Sequence, residues 1–275
     1  MLIDAHAHIF PPRMIARREE LVREEPFFAL MYKNGSSPLA HARDLLAAMA
    51  AQGVDQAWAV GFTWHKRENA RLHNDYLLQT RAEYPDKLRC LGSVWPPAGW
   101  AEAEAERILN AGLDGLGEIG FYQSDLDLNS LDPLCRLAAE RGRPVMLHVN
   151  EPLGALYPGK APMGLGRLYE LLGRHPATRF ILSHLGGGIF FYSLLKKEVT
   201  DRFKNVWLDT AALPFLYKPE GVKLAVELMG APKILLGSDF PLLSVTRTLL
   251  CLEEAGLGRG DLDMVRGGAA AALMG

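Results

Sequence analysis

The feature that most constrains this chain is a beat. Short apolar runs recur along its whole length, and each is followed by a segment patterned as an amphipathic helix. The runs fall at Leu2–His6, Val54–Gly61, Leu88–Val94, Gly115–Gly120, Pro144–Val149, Arg179–His184, Asn205–Asp209 and Lys233–Asp239. They read as continuous apolar stretches, as strands covered on both faces do. Helical patterns lie between them over Ala42–Gln52, Asn69–Tyr84, Ala101–Ala111, Asp132–Arg141, Leu165–Arg174, Phe191–Arg202, Glu220–Met229 and Val245–Ala255, with an alanine-rich closing helix over Leu262–Met274. Glycine or proline stops several of them. Eight β-α units in 275 residues predict an α/β fold, a (β/α)8 TIM barrel in a single domain spanning 1–275. The rival is an open doubly wound sheet, and the lack of Gly-x-Gly-x-x-Gly after an early strand weakens it. The segment 10–40, between the first strand and its helix, is longer than ordinary connections. It reads either as a lid or entrance insertion, or as a packing flap or oligomer contact.

Bulk composition narrows the function classes. A net charge of −2 argues against nucleic acid or an anionic membrane as an obligate partner. The three cysteines, Cys90, Cys135 and Cys251, are widely spaced and lack a Cys-x-x-Cys pair, which fits a reducing cytoplasm. No apolar run is long enough for a transmembrane helix, and the N-terminus reads as a strand, not a signal peptide. The expected partner is a small-molecule substrate. The run Phe27–Tyr32 offers an apolar surface for a homo-oligomer or for the lid.

The first strand carries His6 and His8. Side chains two apart on a strand share a face, about 7 Å apart along the chain, so the pair can clamp a transition metal. Hydrogen-bonded histidines in a cleft are the bland alternative. In a barrel, chemistry sits at the C-terminal strand ends. Those ends carry Glu118, His148, His184 and Asp239 besides the first pair. The other histidines, His41, His65, His73 and His175, fall in helices or loops and read as solvent-facing or supporting residues.

These pieces resemble the metal-dependent amidohydrolase superfamily, in its amidohydrolase-related (Amidohydro_2) branch. The matching motifs are Asp4-Ala5-His6-Ala7-His8, His148, Ser183-His184-Leu185-Gly186-Gly187 and Gly237-Ser238-Asp239-Phe240-Pro241, with Ala82–Leu88 leading into the third strand. The usual Gly-Asn-Ala near the C-terminus is replaced by Gly267-Gly268-Ala269-Ala270. The resemblance implies one or two divalent ions at the barrel mouth, zinc foremost, with manganese, iron or nickel as alternatives. It implies His6, His8, His148 and Asp239 as ligands of one ion, and His184 as a ligand of a second or a contact to substrate. Glu118 is implied either as a bridging ligand, as in TatD-type DNases, or as an outer hydrogen-bond acceptor.

Such a site activates water at neutral pH, with Asp239 taking its proton and His184 donating to the developing oxyanion. Gly186 and Gly187 offer N–H groups to an anionic substrate, or simply make a tight turn. Trp95, Tyr122, Phe62 and Trp64 are expected to line an apolar pocket or to pack over the barrel mouth. Arg13 is a weaker candidate for a substrate carboxylate, and Asp4 for orienting a ligand histidine. The leading expectation is a hydrolase acting on a C–O or C–N bond of a lactone, ester or amide. The alternative is a non-oxidative decarboxylase of an aromatic or unsaturated acid. A TatD-like nuclease and an inactive binding protein rank below both.

Overall fold

The computed structural model describes residues 1–122, 124–161 and 164–275. Eight parallel strands pair in chain order: β1 (Ile3–His8), β2 (Gln56–Val60), β3 (Leu88–Gly92), β4 (Gly115–Ile119), β5 (Pro144–Leu147), β6 (Arg179–Leu182), β7 (Val206–Asp209) and β8 (Ile234–Leu235). The ring closes where Ala5 N donates to Leu236 O at 2.7 Å, Asp239 N to His6 O at 2.9 Å and His8 N to Phe240 O at 2.6 Å. This is the expected (β/α)8 barrel with its insertion after the first strand.

Inside the ring, Ile3, Ala5, Trp58, Val60, Leu91, Met146, Ile181 and Leu235 form one core, and the C-terminal residues Ala269, Ala270 and Leu273 plug it from below. The larger core lies between strands and outer helices. The two cores report the phase of each strand. In β1, Ile3 and Ala5 belong to the inner core, but Ala7 and, just past the strand, Ile9 belong to the outer one. The pairing of β1 with β2 shifts between Asp4 and Ala7. A one-residue shift swaps faces, and here it turns His6 and His8 toward the mouth. A second shift, between Leu116 and Ile119 in β4, does the same for Glu118. It rests on Gly117, whose φ of +144° suits glycine and whose added Cβ would sit 2.5 Å from Met146 Cβ.

Several elements differ from the sequence expectations. The expected helix Asp132–Arg141 starts earlier, over Leu128–Glu140, because Asp127 caps it by accepting from the backbone N–H groups of Asn129 and Ser130. The expected helix Phe191–Arg202 does not form as one element. The chain runs left-handed from His184 to Gly188, tightens into a 3-10 turn ending at Leu194, extends at Leu195, and coils again only over Lys197–Thr200. The closing helix is broken by a wider turn at Met264–Gly268.

The insertion holds three short helices, α1 (Pro12–Ala16), α2 (Arg18–Glu24) and α3 (Pro26–Tyr32). Phe10, Phe27 and Phe28 pack with Phe62, Trp64 and Tyr122 in a third cluster beside the mouth. Buried Glu25 fixes the insertion by accepting hydrogen bonds from His65 N, Lys66 N and Asn69 Nδ2. His73 fixes it from beneath: Trp64 Nε1–H donates to His73 Nδ1 at 3.0 Å, and His73 Nε2–H donates to Ile9 O at 2.7 Å.

Candidate metal centre

The strand ends bring six side chains into two facing triads, His6–His8–Asp239 and Glu118–His148–His184. In the first, His6 Nε2 lies 3.2 Å from His8 Nε2. Asp239 Oδ1 is 3.8 Å from His6 Nε2 and 3.5 Å from His8 Nε2. In the second, His148 Nδ1 lies 3.0 Å from Glu118 Oε1 and 3.3 Å from His184 Nε2. Glu118 stands between them: its Oε2 is 3.6 Å from His8 Nε2, and its Oε1 is 3.8 Å from His184 Nε2.

Outward partners set the tautomers. His6 Nδ1–H donates to Asp209 Oδ2 at 2.8 Å, His184 Nδ1–H to Ala211 O at 2.9 Å, and His148 Nε2–H to Gly159 O at 2.9 Å. In each ring the remaining nitrogen therefore presents a lone pair inward. Those lone pairs face one another and two carboxylates, in a site almost closed to water. Of these rings only His8, whose Nδ1 has no partner among the described residues, can turn a proton toward them, and the remaining acceptors repel unless a positive charge sits among them. Mixed imidazole and carboxylate donors suit a borderline divalent cation, so the residues fit the ion the sequence implies.

The same need shows in the titration behaviour. Burial alone would lower the His6 pKa, but Asp209, Glu118 and Asp239 raise it to about 10. Burial would raise Asp239, but the hydrogen bond with His8 and the charges of His6, His8 and His184 lower it to about 2. Glu118 is likewise held well below the usual carboxylate range, against burial, by His148 and His6. The protein pulls positive charge into this cluster.

A cavity of about 360 Å³ opens on the cluster, lined by His8, Glu118, His148, His184 and Asp239, with Tyr32, Phe62 and Tyr122 as aromatic walls. The Tyr122 ring stacks on Phe62 at 5.9 Å and lies 4.8 Å from the His148 ring. Other expected substrate contacts fall elsewhere. Trp95 is outside the described lining and packs edge-on against Phe27 at 4.9 Å. Trp64 is buried in the aromatic cluster. Gly186 and Gly187 are buried behind the site: Gly186 N donates to Ser183 O, and a Cβ on Gly187 would lie 2.3 Å from Asn150 O. Their place is a close-packed left-handed turn. Arg13 lines an outer groove with Arg17 and Glu20. Asp4 does not orient a histidine side chain; it accepts from Ser238 N at 2.9 Å and Ser238 Oγ at 2.5 Å, fixing the turn that presents Asp239 at a φ of +67°.

Sequence reading missed Asp209. It is fully buried, and besides His6 it accepts from His184 N at 2.9 Å and Ala211 N at 3.0 Å. Its signal was the one that marked Asp239, an acid ending an apolar strand. Tyr32 was read only as part of the apolar run offered for a lid or an oligomer contact, because nothing in the sequence of the insertion shows which of its side chains returns to the mouth.

Comparison with known proteins agrees with this architecture. The amidohydrolase family model matches residues 3–275. No curated protein matches the sequence. Among solved structures, 5-carboxyvanillate decarboxylase from Sphingomonas paucimobilis superposes with a TM-score of 0.78 at 18% identity, covering 99% of this chain and 98% of that one. The 5-carboxyvanillate decarboxylase of Novosphingobium aromaticivorans, complexed with manganese and 4-hydroxy-3-methoxy-5-nitrobenzoic acid, gives 0.78 at 17% identity, covering 100% and 96%. The 2,6-dihydroxybenzoate decarboxylase from Rhizobium gives 0.72 at 17%, covering 99% and 98%. At such identities the likeness shows the fold. No helix among the described residues is long and apolar enough to cross a membrane.

Proposed function

Because the chain belongs to the amidohydrolase family, we propose that it is a divalent-metal-dependent lyase that decarboxylates a small aromatic acid without an oxidant. One observation carries this reading. The cavity over the donor cluster is walled by Tyr32, Phe62 and Tyr122, and no lysine or arginine is among its described lining residues. A flat ring fits between aromatic walls. An anionic head entering there finds positive charge only at the cluster. The superposed decarboxylases, named for aromatic acids, support the same class.

His6, His8, His148 and Asp239 are the proposed ligands, with manganese or zinc as the ion. When bound, the cation supplies the charge that holds the substrate oxygens beside the reacting carbon. Tyr122 and Phe62 orient the ring. Asp239 or His184 first takes up a proton from water and then passes it to the ring carbon that bears the carboxylate. That carbon's bond to the carboxyl group breaks, its electron pair restores the ring, and CO2 leaves. The donor regains its proton from water.

The test is a panel of hydroxybenzoates with the metal-loaded protein in 18O-labelled water. The expected result is CO2 and the decarboxylated ring, without label in the ring product. Asp239→Asn should slow turnover by about 10²-fold or more. Labelled product without CO2 release would overturn the lyase reading.

Hydrolysis of a lactone, ester or amide is the second reading, and Glu118 favours it. Each of its oxygens faces a different triad, an arrangement suited to holding two cations with a water between them. Two ions per chain, falling to one in Glu118→Gln, would support this reading. One ion per chain, unchanged in the variant, would leave Glu118 as a hydrogen-bond acceptor. Nuclease action is disfavoured by the same uncharged walls, since phosphate backbones are held by lysine and arginine.

A further inference from the structure

The donor cluster faces a second cavity, of about 720 Å³, which shares His148, His184 and Asp239 with the first. Met31, Pro158 and Leu242 line both and form the waist between them. The second lobe lies under the loop after β5 and the turn after β7. Its other walls include Leu153, Ala155, Phe215 and Leu216.

The polar groups beside this lobe are already spent on one another. Asn150 Nδ2 donates to Tyr157 OH at 2.9 Å, and its Oδ1 accepts from Ala161 N at 2.7 Å. Tyr157 OH donates to Glu151 Oε2 at 3.1 Å, and Lys160 Nζ lies 3.2 Å from Glu151 Oε1. They hold the loop in shape and offer little to a ligand. What remains available is apolar, and some of it is costly to leave bare: Leu153 is 79% exposed, Phe215 55% and Leu242 49%. Apolar side chains gathered at the rim of a reactive cavity mark a surface that a ligand covers.

We propose that the second lobe is a subsite for a hydrocarbon arm of the substrate, so that the substrate is bipartite: a polar head at the donor cluster and an alkyl or aryl arm under Leu153, Phe215 and Leu216. This rests on the reading of the cluster as the reacting end. The continuity of the two lobes through His148, His184 and Asp239 sets the attachment, because an arm leaving the head can pass the waist without crossing bulk water. The aromatic cavity selects the head and the second lobe sets the arm, which places preference for the arm on Leu153, Phe215 and Leu216, none of them a donor to the cation.

The probe is a homologous series of n-alkyl hydroxamic acids, from acetohydroxamic acid to the ten-carbon member. Binding is measured by calorimetry to the metal-loaded protein and to the chelator-stripped protein. The expected result is a gain of about three- to fourfold in affinity per added methylene, levelling off as the lobe fills. Phe215→Asp and Leu153→Asp, both at exposed positions, should flatten the gain below twofold per methylene and leave acetohydroxamic acid unaffected. Affinity independent of chain length, or a gain equally steep in both variants, would overturn the subsite. The two readings fail separately. If short hydroxamates bind the loaded and stripped proteins alike, the metal reading falls, while the chain-length gain, a difference between homologues, still reports on the lobe.

Discussion

Asp209→Asn isolates what a single buried carboxylate does for the metal centre. One oxygen of Asp209 accepts from the backbone N–H groups of His184 and Ala211, and the other accepts the Nδ1 proton of His6. An amide keeps its carbonyl oxygen for the two backbone donors. Its NH2 then faces His6 Nδ1, and two donors cannot share that contact. The imidazole relieves the conflict by moving its proton to Nε2, the nitrogen aimed at His8 and Asp239. A protonated Nε2 cannot ligate. Losing a partner of this kind costs about 10–100-fold in metal affinity, or about 1.4–2.8 kcal/mol. The stability cost should be smaller, about 1–2 kcal/mol, since one charge-assisted hydrogen bond is replaced and not orphaned. Asp209→Ala is less informative because it leaves three buried donors unpaired. The assay is competition for zinc or manganese against a chromophoric chelator, with the His6 tautomer read from 15N shifts. Affinity within twofold of the parent, with the proton still on Nδ1, would refute the tautomer argument.

Two further outcomes follow from other parts of the barrel. Burial, helped by the charge of His8, lowers the His73 pKa from 6.5 to about 4, although its bond to Ile9 O works the other way. Its neutral form is built in, because Nδ1 accepts from Trp64. The unfolded chain takes up this proton first, so stability is full above pH 6.5 and is lost as pH falls toward 4. The total is about 3 kcal/mol. Urea midpoints of the parent and His73→Gln across that window should show the steeper acid slope in the parent, and equal slopes would contradict the assignment. In the turn after β6, Gly187→Ala should destabilise by about 2–4 kcal/mol, because its φ is +62° and the new Cβ meets a backbone carbonyl oxygen. A denaturant midpoint within error of the parent would show that the turn can relax.

The barrel was legible because buried parallel strands are apolar throughout, which makes each run visible without its neighbours. The donor cluster was legible because polar residues that end such runs stand out: His6, His8, Glu118, His148, His184 and Asp239 all carry that signal, and the fold brings them together. The phase of β1 was not. Alternation from Ile3 would place His6 on the outside, and only the shift between Asp4 and Ala7 turns it inward. The segment from Phe191 failed for a different reason. Phe191, Tyr192, Leu194 and Leu195 have the spacing of a helix face, yet all four are exposed, and the chain enters them from a left-handed turn. Apolar spacing reports burial only when something covers the face. Trp95 and Tyr122 gave the same sequence signal as residues following strands. Phe27, brought over by the insertion, touches both rings, but Trp95 also packs on Phe121, whereas Tyr122 stacks on Phe62 and reaches the His148 ring.

The closure of the ring has a consequence for the order in which the protein can acquire its chemistry. His6 and His8 are made well before Asp239 and the strand that completes the circle. The earlier donors must wait for the intervening strands and helices before their partners exist. Bringing positions this far apart together costs about 5 kcal/mol of chain entropy. A cation held by His6 and Asp239, as proposed above, would act as a clasp across that seam, next to the hydrogen bonds by which Asp239 and Phe240 reach β1. Nascent or truncated chains without β8 would have neither a closed ring nor a complete reactive centre, so maturation of the fold and of the chemistry coincides in a single late event.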